Sequence, residues 1–175
     1  MEFYDVVKSR KSCRDYLAKP VCEEQLYRVL EAARLAPSWK NLQCSRYVVV
    51  SDRSLIQQIG QLLSNNPNVT AYTNATYIIV LCANPADSGI IDGKEYYMVD
   101  CAISMEHLCL AATNEGLGTC WVGLFHDEPI RQLLEIPDPL RVVALTPLGY
   151  PSGVFRERPR KAMSEIVFRE KWGKQ

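Results

Sequence analysis

The sequence contains no C-x-x-C pair, no G-x-x-x-x-G-K-[ST] loop, no G-x-S-x-G elbow and no run of 18 apolar residues. Structural zinc and iron–sulfur centres need thiolates at short fixed spacings, so no metal site is expected. Without the lysine-bearing glycine loop no P-loop nucleotide site is expected, and without the elbow no hydrolase of that kind. The apolar runs are too short to cross a bilayer, so no membrane partner is expected. An excess of one sign of charge is also missing: 20 Lys and Arg balance 20 Asp and Glu, for a formal net charge of zero. A nucleic-acid partner calls for a basic field, so none is expected. Histidine is scarce, and His107 and His126 stand isolated. On a helix, His107 reads as a hydrogen-bonded residue rather than a ligand. The first residues lack the basic-then-apolar pattern of a secretion signal, which predicts a cytoplasmic chain.

Cysteine, by contrast, is plentiful. Cys13, Cys22, Cys44, Cys82, Cys101, Cys109 and Cys120 are odd in number, and several sit inside apolar runs. They are expected as small buried residues of a reduced chain. Residues 68–70 and 74–76 match glycosylation acceptors, which without a secretion signal are read as chance. At 175 residues, 47% of them apolar, one domain over 1–175 with a core of its own is expected.

Phe3, Val6 and Val7 recur at helical spacing and predict a short helix ending near Ser9. Leu26, Val29, Leu30 and Ala33 form the apolar face of a second helix, with Glu23 and Glu24 in its first turn and Pro37 as its stop. Residues 46–51 read as a strand, and Ser51 or Asp52 caps a third helix whose Leu55, Ile56, Ile59, Leu62 and Leu63 face inward. Residues 65–68 read as a loop, 77–83 as a central strand and 84–94 as a loop. The longest helix spans roughly 96–115, with Val99, Ala102, Ile103, Leu108, Leu110 and Ala111 spread around its circumference. A helix apolar on most sides is buried on most sides. A chain this small covers it most readily with a second subunit, so a dimer interface is expected. Gly116 ends that helix. Strands are expected at 119–123 and 141–145, with a short helix between them capped by Asp127 and carrying Ile130, Leu133 and Leu134. Asp100 and Glu106 are read as solvent or interface ion pairs. The polar segment 152–175 has little core of its own and is expected to lie across other structure, either this chain or a partner subunit. The alternation of helices and irregularly connected strands predicts an α+β fold, a mixed sheet flanked by helices.

Positive charge is local. Arg10, Ser12 and Arg14 alternate, so an extended backbone points all three to one side. Two guanidinium forks and a hydroxyl suit a phosphate dianion, although a solvated basic turn has the same composition. A second basic cluster, Arg156, Arg158, Arg160 and Lys161, lies near the other end, and both ends could close on one phosphate. Gly116 and Gly118 precede a strand rather than open a helix, so they are not a dinucleotide fingerprint.

Taken together, these segments resemble the FMN-dependent nitroreductase family. R-K-S-C-R at 10–14 is similar to the family's R-x-S-x-R phosphate motif, and A-P-S-W-K-N-L-Q at 36–43 to its A-P-S-x-x-N-x-Q flavin motif. G-L-G-T-C-W-V-G at 116–123 is similar to its G-L-G-x-x-x-x-G strand, and G-Y-P at 149–151 with R-P-R-K at 158–161 to its C-terminal arm. The resemblance implies an intertwined homodimer, with the 152–175 arm crossing to the partner and FMN in clefts at the interface. It implies that Arg10, Ser12, Arg14, Arg158 and Arg160 hold the FMN phosphate and that Lys11 reaches the flavin or its ribityl chain. Pro37, Ser38, Trp39 and Asn41 come from the other subunit, and Trp121, Val122 and Gly123 run along the isoalloxazine. It further implies ping-pong hydride transfer from NADH or NADPH to a small-molecule acceptor, a nitroaromatic or quinone, with no catalytic side chain required. Alternatives are a reductive dehalogenase or flavin-fragmenting enzyme of the same fold, or a non-catalytic flavin carrier. The turn departs from the family in continuing Gln43-Cys44-Ser45 and in its bulky Trp39, which bears on pocket shape. Trp39 fits ring packing or interface packing. Cys44 and Cys120 fall near the implied cofactor and are read as buried spectators.

Overall fold

The computed structural model describes residues 1–63, 74–153, 155 and 158–174. The expected loop at 65–68, the acceptor sequence at 68–70 and Arg156 lie outside the described residues. In chain order the elements are α1 (Phe3–Ser9), α2 (Glu23–Arg34), a 3-10 turn (Trp39–Asn41), β1 (Ser45–Val50), α3 (Arg53–Leu62), β2 (Tyr77–Ala83) and a second 3-10 turn (Pro85–Asp87). There follow a hairpin of β3 (Ile90–Ile91) and β4 (Lys94–Glu95), α4 (Tyr96–Asn114), β5 (Gly118–Thr119), α5 (Asp127–Leu133), β6 (Arg141–Gly149) and α6 (Met163–Ile166).

The sheet runs β1-β2-β6-β5, and every strand pair in it is antiparallel. With helices on its faces the fold is α+β. All seven residues of β2 are buried, because both faces of the sheet are covered. Side chains alternate along a strand. Tyr77, Ile79, Leu81 and Ala83 therefore enter a core shared with α2 and α4, while Ile78, Val80 and Cys82 enter a second core beneath α3 and α5.

In α3, Asp52 caps the helix by accepting the N–H of Leu55 at 2.9 Å, and Ile56, Ile59 and Leu63 are buried. Leu62, expected inside, is 40% exposed, and Gly60 takes the inward position. His126, not Asp127, occupies the N-cap of α5. Asp127 instead accepts the N–H of Val142 at 2.9 Å and ties the helix to β6. Ile130 of that helix is fully buried, whereas Leu133 and Leu134 are only half-buried.

The strand expected at 119–123 is shorter, and the one expected at 141–145 is longer. Pairing of β5 with β6 covers Gly118–Gly149 and Thr119–Leu148, stops, and resumes at a single Val122–Leu145 bridge. In that register Cys120 faces Pro147, which has no N–H to give. The Thr146 hydroxyl bridges the two strands there, accepting the Cys120 N–H at 3.1 Å and donating to the Pro147 carbonyl at 3.0 Å. The loop expected over 84–94 holds the second 3-10 turn and most of the small hairpin.

The long helix is not buried all round. Asp100, Cys101, Ser104, Met105, Leu108, Cys109 and Ala112 face inward, while Met98 and Val99 are 46% and 47% exposed and Ala102 is open. Of the six apolar residues expected to be covered, one chain covers only Leu108 fully. None of the seven cysteines is in a disulfide; six are buried, and Cys22 is exposed. No described helix is long and apolar enough to cross a membrane.

Candidate functional site

Residues 10–14 leave α1 as an extended segment whose Ser12 makes an isolated parallel bridge to Thr119. The Cys13 N–H donates to the Thr119 carbonyl at 2.7 Å, and its side chain is fully buried. Alternation then turns Ser12 and Arg14 outward, as extended geometry requires. The close approach depends on Gly118, since a Cβ there would lie 2.7 Å from that of Cys13. Gly116 serves differently: its φ of 74° takes the left-handed step that ends α4. The two glycines of the G-L-G run thus do separate work at a helix end and a strand crossing.

Outward from this segment opens a cavity of about 670 Å³, lined by Val7, Lys8, Arg10, Lys11, Ser12, Arg14, Arg158, Pro159 and Arg160. Both basic ends of the chain meet here. Arg10 lies 3.8 Å from Glu106, a long, partly exposed pair of small energetic weight. Arg14 donates to the Ser12 carbonyl at 3.3 Å and Arg160 to the Arg158 carbonyl at 3.0 Å, so each fork rests on nearby backbone. Six cations and a hydroxyl with no carboxylate among the lining residues suit a phosphate, which takes paired N–H donors well.

A second cavity, about 240 Å³, lies beside the turn that follows α2. Pro37 and Ser38 line it together with Arg34, Arg46, Tyr47, Asp100 and Ser104, among others. Trp39 and Asn41 belong to the same turn without lining the cavity. Lys40, Asn41 and Gln43 all take left-handed φ angles of 47°, 57° and 55°, strained for residues with a side chain. The Ser38 hydroxyl accepts the Gln43 N–H at 2.9 Å, and the Asp100 carboxylate accepts the Trp39 N–H at 2.8 Å. Asp100 is 3% exposed and also accepts from the Ser88 hydroxyl at 2.9 Å and the Cys44 thiol at 3.5 Å. The expectation of a solvent or interface ion pair at Asp100 is thereby corrected. Burial, then the neighbouring Cys101 and Asp100, push the Cys44 thiol up to about 12. Burial likewise pushes the Tyr47 phenol up to about 12, against the lowering effect of its short hydrogen bond with the Ser104 hydroxyl.

Trp121, Val122 and Gly123 line neither cavity. Val122 is buried, and its N–H and carbonyl both pair with Leu145, at 2.8 and 3.0 Å. Trp121 is 41% exposed and Gly123 is open; among the described residues the Gly123 N–H makes no backbone hydrogen bond. The thirteen sequence-named residues therefore fall in three places on one chain.

The sequence profile of the nitroreductase family matches residues 7–76 and 63–150. The chain belongs to the nitroreductase family. A nitroreductase family protein of Clostridium novyi NT is 42% identical in a crystal structure that superposes with a TM-score of 0.83, covering 99% of this chain and 96% of that one. A protein of Archaeoglobus fulgidus, provisionally named an NADH dehydrogenase/NAD(P)H nitroreductase, is 30% identical over 177 residues, 98% of this chain and 99% of its own. The structure of an FMN-dependent nitroreductase of Clostridium difficile R20291 is 25% identical with a TM-score of 0.84, covering 95% and 98% of the two chains.

Within this nitroreductase fold, the sequence alone misplaced Asp100 and left Ser88 unmarked. A signal existed for the first: Asp100 is the only charged residue in the first ten of α4, where solvent exposure was assumed. Ser88 carries no such mark, because its role depends on segments distant in sequence.

Proposed function

We propose that this nitroreductase-family chain is an NAD(P)H-dependent FMN oxidoreductase that passes electrons to small acceptors such as nitroaromatics and quinones. The observation that carries the reading is the single basic cavity shared by Arg10, Lys11, Ser12, Arg14, Arg158 and Arg160. Charge-assisted bonds from this set would hold the FMN phosphate, with Ser12 adding a hydroxyl donor. Bound FMN supplies the hydride chemistry, which is why no acid, base or nucleophile is needed from the chain. Gly123, with its open N–H, is the backbone donor offered to the ring, and Trp121 gives it an apolar edge.

The two cavities share no lining residue, and the proposed site needs both. A homodimer in which each turn, with Pro37, Ser38, Trp39 and Asn41, meets the partner's basic cavity satisfies that need. The open apolar surface of Met98 and Val99 on α4 supports such a partner, as does the exposed 158–174 arm. NAD(P)H and acceptor would then use one open pocket in turn, a ping-pong scheme.

The test is anaerobic titration of the purified protein after incubation with FMN. The expected result is a yellow protein bleached by NADH or NADPH and recoloured by a nitroaromatic or quinone. A preparation that stays colourless with FMN removes the reading. Bleaching without recovery by any acceptor makes the protein a flavin carrier instead.

A further inference from the structure

Residues 38–43 bond three of their backbone N–H groups within the turn itself. The N–H groups of Asn41 and Leu42 donate to the carbonyls of Ser38 and Trp39, and the N–H of Gln43 to the Ser38 hydroxyl. None of these bonds fixes the turn to the rest of the molecule. Among the described residues a part-buried hydrogen bond does so, from the Trp39 N–H to the buried Asp100. The exposed side chain of Arg46 adds a bond to the Gln43 carbonyl at 2.7 Å. On its other oxygen, Asp100 holds the Ser88 hydroxyl and the Cys44 thiol. One carboxylate thus binds the turn, the loop before α4 and the start of β1.

The same clasp sets a ring. The Trp39 indole lies 4.3 Å from the Tyr96 ring, centroid to centroid, and across Gly89, where a Cβ would fall 2.6 Å from the indole. Ser88 and Tyr96 flank that contact, and Asp100 lies one helical turn beyond Tyr96. No cation is paired with Asp100 among the described residues. A buried carboxylate without a counter-cation is costly unless donors converge on it, and here three converge.

We infer that Asp100 is the positioning residue that fixes the strained 38–43 turn, and with it the Trp39 indole, as one wall of the pocket that the turn would complete beside the partner's basic cavity in the proposed homodimer. The inference rests on the flavin reading. Left-handed conformations at Lys40, Asn41 and Gln43 persist only where surrounding structure imposes them, and Asp100 is the buried group that does. Without it the turn is free to relax, and the indole to leave Gly89.

The experiment compares the full-length FMN-loaded protein with Asp100→Asn, Asp100→Ala and Ser88→Ala. Amide hydrogen exchange is measured on peptides covering 36–44 and 77–83, together with FMN affinity and the KM and kcat for a quinone acceptor. Asparagine keeps an acceptor for the Trp39 N–H, so its effect should be smaller than that of alanine. The expected result is exchange over 36–44 faster by about tenfold or more in Asp100→Ala and by less in Asp100→Asn, with 77–83 unchanged. Acceptor KM should rise several-fold in the same order while kcat moves less. Equal protection of 36–44 in all variants overturns the inference. So does faster exchange in both peptides together, which marks a general loss of stability. If the alanine variant does not fold, Asp100→Asn and Ser88→Ala decide: protection and KM at wild-type values in both also overturn it. Failure of the unaltered protein to take up FMN counts against the flavin reading instead, and the exchange comparison still decides whether Asp100 holds the turn.

Discussion

At the basic cavity, Ser12, Arg14, Arg158 and Arg160 are exposed, and the forks of Arg14 and Arg160 lean on nearby backbone carbonyls. At the 37–43 turn, a 3%-exposed carboxylate holds the Trp39 N–H and a buried thiol with a raised pKa, beside three left-handed residues. The first region works by charge, which acts over distance and tolerates movement. The second works by short hydrogen bonds and contact, which fail when one partner shifts. Binding strength is therefore expected from the first and ring geometry from the second, and the two should respond to different perturbations.

The largest expected divergence is with pH. Burial pushes Cys44 and Cys82 up to about 12, and Cys101 and Cys109 up to about 11. In the unfolded chain such thiols ionise near about 8.5. Above that value the folded chain keeps protons that the unfolded chain has lost, so stability is intact below about pH 8.5 and falls as pH rises through 11–12. The slope is about 1.4 kcal/mol per pH unit for each thiol. Guanidinium groups stay charged throughout this window. Denaturant melts between pH 8 and 11 should therefore show a steep loss of stability, with FMN released only as the chain unfolds. A flat profile would mean the thiols are far better solvated than their burial indicates.

Next in size is the pair Arg14→Ala with Arg160→Ala. Charge-assisted bonds are worth about 1.5–3 kcal/mol each, so FMN affinity should fall about 100-fold or more by fluorescence titration. Both side chains are exposed, so the melting temperature should hold within about 2 °C. Unchanged affinity would place the phosphate elsewhere. The smallest effect is expected from Gly89→Ala, which drives a methyl to 2.6 Å from the Trp39 indole. Overpacking of this kind costs about 1–3 kcal/mol in a thermal or denaturant melt. Acceptor KM should change with it while FMN affinity stays within about threefold. An alanine variant as stable as the parent would show that the loop yields rather than the ring.

Much of the scaffold was open to reading because its signals are local. The uninterrupted apolar run of β2, the Asp52 cap of α3 and Gly116 after α4 each carry their own physical cause within a few residues. The basic clusters were legible too, since charge shows in composition. What escaped was relational. Pro147 looked like a strand end, yet β6 runs through it paired with β2, while the Thr146 hydroxyl takes up the Cys120 N–H. Asp100 looked like a surface acid because nothing nearby in sequence shows that Trp39, Cys44 and Ser88 donate to it.

By itself, then, the sequence determined the family, the order of the main helices and the central strand, and the two arginine-bearing segments. Periodicity, caps and charge are properties of short stretches, and they survive without a fold. Tertiary structure decided that Arg10, Arg14, Arg158 and Arg160 share one cavity, that α4 leaves Met98 and Val99 open, and that one buried carboxylate holds a strained turn. Those outcomes depend on contacts between residues tens of positions apart, which only packing of the whole chain brings within hydrogen-bonding reach.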